Sequence, residues 1–344
     1  MTKKIKKATK GEVTQFITRS KAIKKLQLSL KDFRRLCILK GIYPREPKKK
    51  HSGTNKTYFH VKDINYLSHE KLLSKFREIR AHLKKYKRAV KRGEHVKANK
   101  LSDSTPKYTL GHLVKERYPT FQDALADLDD PLCLLSLFAS LPSHKGFSVP
   151  NEKLAKSKQL YQEFLLLCIL KKGLRKVFLS VKGIYFQVEI NGQNITWISP
   201  YKFAQDLPAD VNYAIMMTFL EFYEILMKFT NFRLFAENGI SYPKDLEREG
   251  DEAIIDTLEN LKAISKENKK EEIDSRFKEE ENVSKCNNSL LEGMSFFLSR
   301  EVPKEPLIFT ILSFGGRIVD EKSKEITHYI TDRDPKFLDM KPSM

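Results

Sequence analysis

Histidine is the first residue type to test for chemistry, because imidazole ligates metals and moves protons near neutral pH. His60 and His69 stand nine positions apart, about half a helical rotation, and His69, His82 and His95 recur every thirteen, turning roughly 220° each time. Neither spacing sets two rings on one helix face, and no Cys or carboxylate stands beside them at ligand spacing, so no metal site is expected. The acidic run Asp127, Asp129 and Asp130 could supply paired carboxylates for acid–base work. Its place between two helical patterns favours capping instead. "SFGGR" has adjacent glycines but no Walker Lys-Ser/Thr and no strand before it, so it is not expected to cradle phosphate. Cys37, Cys133, Cys168 and Cys286 show no CxxC spacing and read as reduced thiols, three of them inside apolar helical patterns. No Ser–His–Asp or Cys–His arrangement can be assembled. The expectation is a chain without catalysis, cofactor or metal.

The cations are another matter. The 344 residues carry a net charge of +19. Residues 1–100 hold 31 Lys and Arg against 7 Asp and Glu, a formal +24, which leaves the remainder at −5. A field confined to one end points to a polyanionic partner there. The candidate phosphate contacts are Lys21, Lys24, Lys25, Arg34, Arg35, Lys48, Lys49 and Lys50, then Lys75, Lys84, Lys85, Lys87, Arg88, Lys91 and Arg92 on one long helix. A solvated helix intersperses Glu at i+4 for pairing; here Glu78 is nearly alone. Phosphate contacts of this kind release counterions, so binding is salt-sensitive and reads little sequence. Structured RNA fits better than DNA, since no recognition helix or zinc module is visible. "KKIKK" and "PKKK" also suit nuclear import.

These residues need elements to hold them. The first twenty-odd residues are cationic with few apolar anchors and are expected to follow a partner's surface. Ser29 caps a helix from about Leu30, Asp32 suits its first turn, Gly41 stops it and Pro44 prevents resumption. Phe33, Cys37 and Lys40 share one side of that helix, and its other sides are also apolar apart from Arg34 and Arg35, so it should be enclosed. "TYFHV" reads as a strand. Leu72, Phe76, Ile79, Leu83, Tyr86 and Val90 then step by 4, 3, 4, 3, 4 along the long basic helix.

"RYPTFQDALADLDDPLCLLSLFASLP" reads as two helices, the first capped by Thr120, the second by Asp130 with Pro131 at its first position. A helix over 153–173 ends at Gly173. In 177–200 the period drops to two, with Ile184, Phe186, Val188 and Ile190 alternating and tight turns at Lys182-Gly183 and Asn191-Gly192. Three antiparallel strands result, with the helices over 153–173 and 211–236 as the expected cover. "YAIMMTFLEFYEILMKF" is interrupted by Glu221, Glu224 and Lys228, so it is a core helix and no membrane partner is expected. Residues 243–289 are polar and charged, with a short helix over 252–265, and read as a linker.

The strings "ITRSKAIKKLQLSLKDFRRLCILKGIYPREPKKK", "VKERYPTFQDALADLDD", "LRKVFLSVKGIYFQVEINGQNITWISPY", "NFRLF" and "LLEGMSFFLSREVPKEPLIFTILSFGGRIV" resemble the pescadillo family, in the family's order. The resemblance implies a nucleolar and nucleoplasmic, non-catalytic factor in large-subunit (60S) ribosome maturation. It further implies presence in pre-60S particles, contact with the ribosomal RNA precursor, and a complex with a block-of-proliferation-type WD-repeat protein and a second WD-repeat protein.

The last segment is similar to the start of a BRCT domain. "MSFFLS" reads as a strand, "PLIFTILSF" as a helix, Gly315-Gly316 as the return into "RIVD", and "ITHYIT" as a third strand, a pattern for a parallel sheet. Ser299 lies where phosphate-binding BRCT domains place a hydroxyl. The helix that would bring the partnering lysine has no counterpart after Thr331, where only "DRDPKFLDMKPSM" follows. The expectation is a partial domain, truncated or completed by a neighbour, with little capacity for phosphopeptides.

The fold expected is therefore α+β: a basic, RNA-contacting region over 1–100, a mainly helical body with a strand meander over 101–242, the linker 243–289, and an incomplete α/β BRCT-like domain over 290–344. The rival reading is a BRCT phosphopeptide adaptor in chromatin or DNA-damage signalling, its basic end on DNA; a second rival is an RNA-modifying enzyme.

Overall fold

A computed structural model describes residues 12–48, 56–142, 149–201, 211–240, 242, 290–320 and 325–333. The expected helix over 252–265 and the candidates Lys49 and Lys50 lie outside these residues. The fold is α+β: mainly helical, with one three-stranded antiparallel sheet and two smaller sheets. The chain divides into two compact units, 1–117 with 215–222, and 118–214 with 223–344.

In the first unit, β1 (Phe16–Thr18) pairs antiparallel with β2 (Tyr58–His60), Phe16 opposite His60. The stretch expected to trail along a partner is thus partly folded: α1 (Arg19–Leu26) follows β1 and buries Ala22 and Leu26. Those two small apolar positions suffice because α1 is only two turns long. In α2 (Leu30–Leu39), Ser29 Oγ accepts from the Asp32 amide at 3.1 Å, and Gly41 takes a left-handed φ of +65° just past the helix end. Phe33, Leu36, Cys37 and Leu39 are buried, and Phe33 meets Phe59 of β2 edge-on at 5.2 Å. Then come α3 (Val61–Ser68), α4 (Lys71–Lys91), α5 (His95–Asp103) and α6 (Gly111–Arg117). The apolar stripe of α4 divides along its length. Leu72 and Phe76 are buried, whereas Leu83 is 44% and Val90 47% exposed.

In the second unit, α7 (Phe121–Ala126) opens on a capping box between Thr120 and Asp123. The following helix, α8 (Asp129–Ser140), starts two residues earlier than expected. Leu128 is its N-cap, and Asp129 and Asp130 sit in its first turn, where their charge suits the dipole. Asp130 does not cap because the Leu128 carbonyl already accepts from the Leu132 amide at 3.0 Å. The sheet runs β3 (Leu174–Ser180), β4 (Gly183–Ile190), β5 (Gln193–Ser199), all antiparallel. Asn191 and Gly192, at φ +49° and +78°, make the second turn, while the first falls on Val181-Lys182, one residue before its expected place.

The sheet's apolar face is covered by α8 and by α9 (Asn151–Leu170), whose Phe164 meets Trp197 edge-on at 5.7 Å. α10 (Tyr213–Glu237) packs beside α9, its Asn231 donating to the Leu160 carbonyl, and its Glu237 accepts from Asn191 in the sheet's second turn at 3.1 Å. The sequence did not announce a further cover, α11 (Lys304–Ser313) from the C-terminal segment, which sets Phe309 5.1 Å from Phe186 and 6.2 Å from Trp197. Around α11, β6 (Ser295–Leu298) pairs in parallel with β7 (Arg317–Ile318) on one side and β8 (His328–Ile330) on the other.

Candidate nucleic-acid interface

Four of the eight histidines make structural contacts. His60 caps α3, His69 ends it, His82 bonds the Leu101 carbonyl at 2.6 Å, and His112 sits 2.9 Å from Glu70. Among the described residues no group of His, Cys, Asp or Glu could hold a metal ion. The acidic run is structural too: Asp127 accepts from Tyr118 and Asp129 from the Thr196 amide at 2.9 Å. Burial pushes the Asp129 carboxyl above its ordinary range despite that bond, and its acidic neighbours add to the effect. No helix among the described residues is long and apolar enough to cross a membrane.

The cations sort themselves by what already holds them. Arg35 is half-buried, paired with Glu221 and lying 5.3 Å over the Tyr108 ring, so it braces the first unit from within. Lys75 pairs with Glu78 at 2.8 Å and Arg92 approaches Glu94 at 3.8 Å. Lys25 donates to Asn65. Lys21, Lys24, Arg34, Lys48, Lys84, Lys85, Lys87, Arg88 and Lys91 are exposed, with no carboxylate partner among the described residues.

Two arginines not among the candidate phosphate contacts organise these. Arg77 donates twice to the Leu26 carbonyl, at 2.8 and 3.3 Å, and Arg80 to the Gln27 carbonyl at 3.3 Å. Both satisfy orphan carbonyls at the end of α1, whose negative dipole end also carries Lys24 and Lys25 in its last turn. At about 100° per residue, Arg77, Arg80, Lys84, Lys87, Arg88 and Lys91 fall within roughly a 100° arc of α4. Lys24 and Lys25 are therefore tied to the start of a cationic ridge that continues over the last three turns of α4. Lys85 and Arg92 flank the ridge, and Lys75 faces away from it. The i, i+3 and i, i+4 spacing from Arg77 and Arg80 to Lys84 was visible in the sequence; their carbonyl partners fifty residues away were not.

A second charged cluster lies inside the first unit. Lys40 Nζ sits 2.6 Å from Glu70 and 2.8 Å from Glu116 with its side chain only 5% exposed, and 4.7 Å over the Tyr66 ring. Burial would lower the Lys40 pKa, but its bonds to Glu116, Glu70 and Tyr66 outweigh burial and hold it above the ordinary lysine range. Burial likewise pushes Glu70 up, and the bonds from Lys40 and His112 more than reverse that. With two carboxylates around its one lysine, the cluster offers nothing to a polyanion. Ser299 lies just past the end of β6, its amide bonded to the Ile330 carbonyl at 3.0 Å.

The family model described as the pescadillo N-terminus matches residues 6–280. A pescadillo homolog from Nematostella vectensis is 43% identical over 374 positions, covering 95% of this chain and 72% of that protein. Homologs from Chlamydomonas reinhardtii and Schizosaccharomyces pombe are each 38% identical, covering 96% and 95% of this chain and 61% and 66% of their own lengths. The chain thus spans between three-fifths and three-quarters of the length of these relatives. With most of its length matched in this way, the chain belongs to the pescadillo family.

Proposed function

We propose that the chain is a non-catalytic assembly factor for the large (60S) ribosomal subunit. It grips the ribosomal RNA precursor by phosphate contacts along the cationic ridge, and holds a block-of-proliferation-type WD-repeat protein and a second WD-repeat protein through its body. It works in pre-60S particles of the nucleolus and nucleoplasm. Family membership supports a role in ribosome biogenesis. The observation that carries the RNA reading is the row of Lys84, Lys87, Arg88 and Lys91 within one arc of α4, all exposed and none facing a described carboxylate. Such a row gains little for folding and much beside a polyanion.

The test is filter binding of a folded large-subunit rRNA fragment over a salt series, comparing the parent with Lys84→Glu/Arg88→Glu/Lys91→Glu. Each lost phosphate contact removes about 0.7–0.9 from the log–log slope, so the triple variant should flatten it by about 2 to 3. Arg35 is left intact because its loss would strand Glu221. An unchanged slope would mean that the ridge is merely solvated.

A further inference from the structure

The β3–β4–β5 sheet has two edges that the fold treats differently. Both hairpins close with two-residue loops, so the flanking pairs Ser180–Gly183 and Ile190–Gln193 share ladder hydrogen bonds. Alternate residues then turn their backbone away from β4. On β5 the outward groups are taken by α8. Asp129 accepts from the Thr196 amide at 2.9 Å, Cys133 Sγ from the Ile198 amide at 3.3 Å, and Ser136 donates to the Ile198 carbonyl at 2.8 Å. On β3 the outward residues are Val177 and Leu179, and no described group hydrogen-bonds to the backbone of either.

The open edge is also apolar. Phe178 is 65%, Leu179 68% and Val181 98% exposed. α11 reaches β3 from the sheet's inner face yet leaves Leu179 uncovered. A long apolar edge is a hazard for aggregation unless pairing is intended. Exposed Lys176 and Lys182 bracket the stretch, while Arg175 is held by Glu189 at 2.9 Å. Two copies meeting edge to edge would crowd these lysines, whereas an acidic strand would be drawn to them.

We propose that the outer edge of β3 accepts an extended, acidic peptide segment of a partner protein, which adds as a fourth strand. Backbone bonds to Val177 and Leu179 hold it, and alternating apolar side chains pack beside Leu179 on one face and Phe178 on the other. Nothing in this depends on the RNA reading, and its failure would leave that reading standing.

The probe is a random twelve-residue peptide library panned on the full chain. Enriched peptides should alternate apolar residues and carry net negative charge. Leu179→Pro, which removes an amide unused in the ladder, should weaken them at least tenfold, and Lys176→Glu/Lys182→Glu should turn the preference toward basic peptides. If the proline variant fails to fold, the lysine reversal decides alone. The Leu179 amide should exchange quickly in the free chain and slowly with peptide added. Three results would overturn the proposal: no enrichment, enrichment indifferent to both variants, or a Leu179 amide already protected without peptide. In the last case, protection that is independent of concentration assigns the edge to this chain's own residues, and protection that grows with concentration assigns it to a second copy.

Discussion

Replacing Lys40 by Met removes the one cation between two carboxylates and keeps the length of an aliphatic stem. Glu70, with its side chain 7% exposed, loses a partner at 2.6 Å, whereas Glu116 is 49% exposed and can turn to water. At an effective dielectric near 20, one such pair is worth about 6 kcal/mol of Coulomb energy before desolvation is subtracted. Stranding a buried partner typically costs about 3–5 kcal/mol. His112, 2.9 Å away, still donates to Glu70 and places the expectation at the lower end, about 3 kcal/mol. The readout is amide hydrogen exchange in α2, α3 and α6, the elements the cluster ties together; 3 kcal/mol raises their open population on the order of a hundredfold. The pH dependence gives the sharper check. In the parent, Glu70 sits below its ordinary value of 4.5, so its contribution is present above that pH and is lost as pH falls through the depressed value. In Lys40→Met, burial is opposed by the bonds from His112 and the Leu72 backbone without the lysine, and Glu70 protonates at a higher pH. The penalty should therefore be large at neutral pH and shrink toward about pH 4.5. Adding Glu70→Leu should recover most of the loss, because a matched apolar pair no longer strands a charge. A penalty below about 1 kcal/mol, or one unchanged by pH, would refute the account of the cluster.

Two further outcomes follow from the second unit. Glu163 is fully buried; desolvation pushes its carboxyl up, and bonds from Tyr242, Asn231 and Gln159 offset this only in part. A raised folded pKa contributes stability below the unfolded value that is lost as pH rises, so the stability of Glu163→Gln relative to the parent should increase from about pH 4.5 to 7.5 in urea titrations. Phe309→Ala should cost about 3–5 kcal/mol and change the emission of Trp197, the single tryptophan, since Phe309 is 2% exposed against Phe186 and Trp197. Unaltered emission would mean that α11 does not rest on the sheet.

Much of the local structure was legible residue by residue. Ser29, Thr120 and Asn191-Gly192 carry their geometry in their own side chains and dihedrals, and the meander's period of two announced which face of β4 is buried. Periodicity marks a face as apolar without saying what covers it. That is why α11 joins the sheet's cover unannounced, and why Leu83 and Val90 stand in solvent on a stripe whose first turns are buried. Two-turn α1 has too few apolar positions to show a period at all.

Composition alone located the positive field, because charge is a property of residue type and the first hundred residues carry it in excess. Which cations are available was decided by tertiary structure. Arg35 meets a glutamate 186 positions away, Arg77 and Arg80 meet carbonyls of another helix, and Lys40 vanishes between Glu70 and Glu116. The open and closed edges of the sheet were likewise set by where α8 lies. Ion pairs and edge contacts act through space over a few ångströms, and only the folded chain brings residues so distant in sequence within that reach.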